Sequence, residues 1–404
     1  MISLRAEGRF VLAGIMLLTK LVWIVTRFDQ MATRPGHPDP WFIRPLSYIT
    51  ALLFLAMPVY CAENRTPDGY LLPSTTAEQP HDLTGLSLEE LSQLDIVQPN
   101  VLGGHTHVAK EIMFGYRYMH MNMSGLYQGT SEISPAQAFA EGFSTVHTDM
   151  DMDMHMFEVM YAPTEQLTLM AMLPYKSESM LHLRRDGTHF TQSADGVGDL
   201  EVMALYTIFG DIRKGGHRLI LNAGMSFPIG SINVKDHEAG DPGRPESLLE
   251  YPMQFGSGTF DLMPGLTYLG DAAHWSWGAQ TVETVRLGRN YHGYRFGNQY
   301  RISAWGAYAV TDWFAPSLHL DGYWWEDIHG ADPGLATNPT PEGRPDLRGG
   351  RRLDLLFGLN FYVPKGPIKG SRLMVEGGIP VYQDLDGPQL GTAWIFSVGC
   401  SYSF

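Results

Sequence analysis

The stretch His147 to Met156, HTDMDMDMHM, sets histidines and aspartates on one parity and methionines on the other. Thioethers, imidazoles and carboxylates are all metal ligands, and thioethers in particular select Cu(I) and similar soft ions over hard cations. A second methionine-rich stretch, YRYMHMNMSG, occupies Tyr116 to Gly125. What these residues can do depends on the element that carries them. A helix, with its period near 3.6, would smear the two sets around its axis, whereas a strand keeps them on opposite faces. Same-face sulfurs on one strand are about 6.6 Å apart, so two can share an ion only with help from a neighbouring strand. The candidate ligands of such a soft-metal site are Met119, Met121, Met152 and Met154, with His120 and His155 beside them. The same thioethers suit two other tasks, filling irregular gaps in a packed interior or lining a greasy path for hydrophobic or aromatic solutes.

Composition narrows the setting. Of the 404 residues, 44% are apolar and only 18% charged, with 44 Gly, 19 Tyr, 19 Phe and 9 Trp. That is rich in aromatics and turn formers for a soluble enzyme. The net charge of −15 repels phosphates and argues against a nucleic-acid partner. Two cysteines, Cys61 and Cys400, provide neither a disulfide framework nor a thiolate metal cluster, and no cofactor is implied.

The first sixty residues hold two apolar runs, Phe10 to Thr26 and Tyr48 to Cys61. The second, followed by AEN, has the length of a signal-peptide core, with Arg34 and Arg44 as its basic region and Met31 as the start of translation. Residues 1–62 are therefore expected to be upstream sequence and signal peptide, with two membrane helices as the alternative. Residues 63–107 read as a periplasmic N-terminal segment with one short helix, because Ser87 and Glu90 form a capping box ahead of Leu88, Leu91 and Leu94.

From residue 108 onward the chain alternates in polarity over segments of ten to fifteen residues between turn signals, which predicts about twelve strands. Such lengths suit a tilted strand crossing a bilayer. The connections alternate as well. APTE, DIRKG, GDAA, TDW and PKGPIK are tight, whereas the connections around residues 127–149, 181–197, 229–257 and 329–350 are long. Short turns on one side and long loops on the other are the mark of an outer-membrane barrel. The expected fold is all-β, a transmembrane antiparallel up-and-down β-barrel over residues 108–404, in the outer membrane of a Gram-negative bacterium. The final strand places Trp394, Phe396, Val398, Cys400, Tyr402 and Phe404 on one parity, and its aromatic end at Tyr402 and Phe404 reads as a barrel-insertion signal for the assembly machinery.

The more apolar parity of each strand should face lipid, where a polar group has no partner. That rule sends Met113, Arg117, Met119, Met121 and Met123 inward from the first strand. From the second it turns in Met150, Met152, Met154, Met156, Glu158 and Met160; Met170, Met172 and Met203 follow from the next two. His147 and the acids Asp149, Asp151 and Asp153 then fall on the outward parity, so that end of the strand is expected above the hydrocarbon. Inward charges of both signs, among them Glu111, Lys176, Glu201, Arg301, Asp321, Asp354, Arg372 and Glu376, serve either as a filling of salt bridges or as a selectivity lining. Trp275, Trp277, Trp324 and Trp325 read as interfacial girdle residues. An enzyme is not expected: His319 has no evident serine partner on a neighbouring strand, and the glycines of GSG and GVGD belong to turns with no helix after them.

The stretches GVGDLEVMALY (Gly196 to Tyr206) and MYAPTEQLTLMAMLPY (Met160 to Tyr175), with the SYSF end, resemble the outer-membrane proteins grouped as the MetA pathway of phenol degradation. YRYMHMNMSG and DMDMHM are similar to its methionine-rich members, and the resemblance covers roughly residues 100–404. It implies a barrel channel, with aromatic compounds as one class of cargo. The expected function is an outer-membrane channel for small hydrophobic or aromatic solutes. Soft-metal handling by a methionine-lined lumen and a structural barrel without conductance are the alternatives. Lipid is the expected surrounding partner, and oligomeric state is left open.

Overall fold

The computed structural model describes residues 101–404 apart from 214, 238–242, 244, 273, 336–339 and 367. The expected signal peptide, the start at Met31 and the helix around residues 87–96 lie outside the described residues. Eleven strands form the wall: β1 (Ile112–Gly129), β3 (Thr145–Tyr161), β4 (Leu167–Arg184), β6 (Leu200–Phe209), β7 (His217–Phe227), β10 (Phe260–Ala272), β11 (Trp275–Leu287), β12 (Gln299–Tyr308), β13 (Phe314–Trp325), β14 (Gly350–Tyr362) and β15 (Ser371–Ser403). Each is hydrogen-bonded antiparallel to the next in chain order, and β15 closes the sheet on β1. Four short strands stand off the wall. β2 (Ser131–Ile133) pairs with β1 and β5 (His189–Val197) with β4, while β8 (Lys235–His237) and β9 (Glu246–Leu248) pair with each other.

The expected count of about twelve agrees with eleven wall strands because β15 serves twice. Its first part pairs with β14, from Arg372 opposite Tyr362 to Leu385 opposite Gly350, and its second with β1, from Leu390 opposite Leu126 to Ser403 opposite Met113. The strand therefore doubles back near Leu385, and its two limbs touch where Gln383 Nε2 donates to Thr392 O at 3.0 Å. Twelve staves result, and both ends of the wall lie at the end carrying the short turns.

The outer face is a band of exposed apolar side chains that includes Phe114, Val159, Leu169, Tyr206, Leu221 and Phe357. No helix among the described residues is long and apolar enough to cross a membrane; the barrel crosses with strands. The single α-helix described, α1 (Pro135–Ala140), starts at a capping box between Ser134 and Gln137 in the β1–β3 connection. The girdle expectation needs one correction. Trp275 packs on Tyr308 and Trp324 on Tyr300, but Trp325 shares the inward parity of Asp321 and Tyr323, and its Nε1 donates to Arg348 O at 2.7 Å. A buried carbonyl needs a donor more than the rim needs another ring.

The long connections fold over their own end of the barrel as a lid. Leu249 and Met253 of the β7–β10 connection pack on Met150 and Met180, while Tyr251 meets Tyr294, Ile328 and Leu335 from the two neighbouring long loops. Gly230 and Gly256 approach so closely that a Cβ on Gly256 would lie 2.3 Å from Gly230 O. Asp199, at the start of the strand in GVGDLEV, holds this crossing. It accepts from Gly230 N at 2.9 Å, Ser257 N at 2.7 Å and Ser257 Oγ at 2.8 Å. Hydrogen bonds to a charged group contribute roughly 1.5–3 kcal/mol each. Asp199→Ala is thus expected to loosen the lid by about 2–4 kcal/mol overall, read as faster proteolysis within residues 228–259 while the barrel keeps its heat-modifiable mobility on gels.

Candidate functional site

The lumen is built in rungs, because cross-strand partners share a face. One rung is almost entirely methionine. Met113 faces Met160, Met160 faces Met170, Met170 faces Met203, and beyond Gly224 comes Met263. All five side chains are buried. Gly224 keeps the rung continuous, since a Cβ there would lie 3.0 Å from both Met203 Cε and Met263 Cβ. The adjacent rung is charged: Glu158, Met172, Glu201, Ser226, Asp261 and Arg286 follow one another across the strands. Arg117 and Met156 are partners on the next.

The methionine rung is occupied by the chain itself. Val101 packs among Met113, Met160, Met170, Met203 and Met263 together with Leu205, Ile220 and Trp305. Leu102 O accepts from Gln280 Nε2 at 2.9 Å, Gly103 O from Asn222 Nδ2 at 3.4 Å, and His107 N donates to Thr168 Oγ1 at 3.1 Å. Residues 101–107, expected in a periplasmic segment, therefore run inside the barrel. The sequence signal was weak because VLGGHTHV has too few apolar residues to mark it as core. Three of its backbone groups are met by inward Asn222, Gln280 and Thr168, residues that a purely apolar interior would not carry.

Opposite the methionine wall of β1, β3 and β4 stands an ionic wall centred on β12, β13 and β14 and extended by Asp261 of β10, Arg286 of β11 and Glu376 of β15. Arg301 forks Asp321, with Nε–Oδ1 at 2.9 Å and Nη2–Oδ2 at 2.5 Å, and Ser303 Oγ and Tyr323 OH donate to the same carboxylate at 2.7 Å each. Arg352 pairs with Asp354 at 3.0 Å and Arg286 with Asp261. His319 Nδ1 lies 3.2 Å from Glu376 Oε1, with Trp305 edge-on to its ring, so this imidazole is tied to a carboxylate.

Further along the methionine wall, toward the lid, Met119 faces Met154, Met121 faces Met152 and Met123 faces Met150. Met119, Met123, Met152 and Met154 are half-buried, and Met121 is buried with its Sδ 3.9 Å from Arg352 Nη1. His120 and His155 do not join them. His120 Nδ1 sits 2.9 Å from Asp153 Oδ1, and His155 Nδ1 sits 2.8 Å from Tyr116 OH, both on the outer face. The six proposed soft-metal ligands are thus split between the two sides of one sheet, and imidazole and thioether cannot share an ion. Strand alternation, which made the pattern conspicuous, is the reason. The outward acids are likewise engaged, Asp153 by Tyr118 OH at 2.5 Å and Asp151 by Asn122 Nδ2 at 2.9 Å. At the wall's other end, Tyr402 and Phe404, expected from the sequence as an insertion signal, are exposed on the outer face, and Phe404 stacks on Phe114.

No family model matches the chain, and no curated protein matches it in sequence. Solved structures do. The crystal structure of an outer-membrane channel from Pseudomonas putida F1 superposes with a TM-score of 0.53 at 12% identity, covering 76% of this chain and 100% of that one. A FadL homologue of Pseudomonas aeruginosa gives 0.38 at 11% identity, covering 72% and 90%. The transport unit of the autotransporter AIDA-I of Escherichia coli gives 0.40 at 10%, covering 78% and 98%; likenesses of these last two sizes carry no further weight. At such identities the shared property is the fold, that of a Gram-negative outer-membrane barrel.

The internal segment supplies a direct test. Gly103 has φ +60°, and a Cβ there would meet Leu205 Cδ2 and Met203 Sδ at 3.0 Å. Gly103→Val adds backbone strain of about 1–3 kcal/mol as well as the clash. The expected result is displacement of residues 101–107 from the lumen, seen as larger single-channel conductance and new protease cleavage near Gly104.

Proposed function

We propose that this protein is an outer-membrane channel for small hydrophobic or aromatic solutes, of the kind grouped as the MetA pathway of phenol degradation. The observation that carries the reading is the continuous inward methionine surface on β1, β3 and β4, with Met119, Met123, Met152 and Met154 left partly accessible below the lid. Flexible thioethers conform to ligands of differing shape and make favourable sulfur–ring contacts of about 0.3–1.5 kcal/mol each. Contacts of that size hold an aromatic solute weakly enough for it to move from one to the next.

On this reading the lid faces the exterior and the short turns face the periplasm. A solute enters under the 228–259 connection, follows the methionine wall, and leaves when residues 101–107 yield. The ionic wall opposite, its charges paired in place, presents little net field to a neutral molecule and stiffens the barrel. The likeness to a channel of the same fold class supports the reading without identifying a cargo.

A second reading rests on the cross-strand pairs Met119–Met154 and Met121–Met152, which bring thioethers together in twos without the histidines and suit Cu(I) or Ag(I) passage. One pair of experiments separates the two. In planar bilayers, aromatic solutes added on the lid side are expected to produce brief current blockades, shortened about tenfold when Met119, Met152 and Met154 are replaced by glutamine. A tenfold change corresponds to roughly 1.4 kcal/mol, within reach of three lost sulfur–ring contacts. Absence of blockades from wild type, together with saturable Ag(I) binding lost when Met119, Met121, Met152 and Met154 become leucine, would replace the solute channel with the soft-metal path.

A further inference from the structure

Under the lid, away from the methionine wall's accessible stretch, four side chains converge from separate parts of the chain. His147 comes from the lid end of β3, where a bulge between His147 and Asp149 breaks the alternation and turns it inward against the outward expectation; His182 comes from the lid end of β4, Glu250 from the β7–β10 connection and Glu342 from the β13–β14 connection. All four are nine-tenths or more buried. One ligand atom each from His147, His182 and Glu250 lies within 4.8 Å of the others.

A hydrogen bond sets the tautomer of His182, and a short carboxylate contact orients His147. His182 Nδ1 is 3.1 Å from Met180 O, an acceptor only, so this nitrogen carries the proton and Nε2 presents a lone pair. That Nε2 is buried and has no hydrogen-bond partner, and Phe190 stacks on the ring at 4.5 Å to hold it in place. His147 Nδ1 lies 2.7 Å from Glu342 Oε2, which turns His147 Nε2 toward Glu250 Oε1 at 3.8 Å. The two rings meet edge-on with centroids 4.3 Å apart. A carbonyl behind one imidazole and a carboxylate behind the other are the outer-shell partners that orient metal-binding histidines. Burying an imidazole lone pair with nothing to accept is otherwise a cost.

We propose that His147, His182 and Glu250 bind a first-row divalent cation, with zinc the best match, and that Glu342 is a positioning residue for His147. Two imidazole nitrogens and one carboxylate oxygen are a borderline ligand set suited to Zn²⁺ and unsuited to Ca²⁺, which takes six or more oxygens. The site differs from the thioether pairs in both place and chemistry. Closing separations of up to 4.8 Å to those of a tetrahedral ion takes small rotations of side chains on loops that already meet there. Arg348, from the β13–β14 connection, lies beside Glu342 and Glu250. The cation ties β3 and β4 to two lid connections, so its role is to fasten the lid.

The competing arrangement of the same atoms is a protonated His147 held between Glu250 and Glu342 with no metal. Zn²⁺ and Co²⁺ titrations of the full-length, chelator-stripped protein in detergent distinguish the two. Expected are one equivalent of Zn²⁺ bound, a Co²⁺ visible spectrum typical of low-coordinate nitrogen and oxygen ligation, and slower proteolysis of residues 228–259 on loading. His182→Gln and Glu250→Gln are expected to abolish the Co²⁺ spectrum. The milder Glu342→Gln, which keeps shape and a polar contact to His147, should weaken binding by about 10–100-fold. His120→Gln, which removes the outer-face imidazole beside Asp151 and Asp153, should leave binding intact. No stoichiometric binding to wild type overturns the proposal, as does binding that survives His182→Gln and Glu342→Gln but is lost in His120→Gln.

Discussion

The structure depends on the closure of one sheet. In hydrocarbon every strand amide needs a partner within the protein, and an open edge would leave a whole row without one. The register from Met113 opposite Ser403 to Asn122 opposite Trp394 removes that edge. Once the sheet is closed, alternation along each strand becomes a division between lipid and lumen. The aspartates and methionines of DMDMDM are then on opposite sides of a wall, each row with its own neighbours. The outer acids are held by Tyr118, His120 and Asn122, while the inner thioethers face each other across the strands.

The interior is asymmetric for a physical reason. Ion pairs need fixed geometry and full hydrogen bonding to offset the loss of water, and the Arg301–Asp321 fork with Ser303 and Tyr323 provides both. Thioethers need neither, and their freedom of rotation lets the facing wall adapt to what lies against it. In the lower lumen that is the chain's own Val101 to Gly104. Nearer the lid, methionine surface stays accessible. The lid is held by contacts of a third kind: Asp199 on the Gly230–Gly256 crossing, Tyr251 and Tyr294 packed with Ile328 and Leu335, and the buried histidines and glutamates. Burial pulls the Arg348 guanidinium below its ordinary range there, with Glu342, Asp327 and Glu250 opposing the shift, so the lid is a desolvated polar assembly as well as an apolar cover.

Much of the fold was legible because strand alternation is a local property. A period of two, the turn residues and the alternation of short and long connections identify each stave from its own neighbours in sequence, and the parity of Leu167, Leu169, Ala171 and Leu173 tells lipid from lumen without knowledge of the partner strand. The same rule explains where the candidate site was misread. Alternation places His120 and His155 on the face opposite Met119 and Met154, and nearness in sequence stood in for nearness in space. Residue type suggests the girdle for Trp325, although its parity with Asp321 and Tyr323 points inward.

By itself, then, the sequence determined the architecture, the lipid and lumen parities wherever a strand runs without a bulge, and the methionine character of one wall, because these follow from spacing along a single strand. Only the tertiary structure decided which rungs align, that residues 101–107 fill the methionine rung, that Asp199 pins a loop more than thirty residues away, and that His147 and His182 meet Glu250 and Glu342. Those contacts join segments whose separation along the chain carries no period, and the shear and closure of the sheet set them.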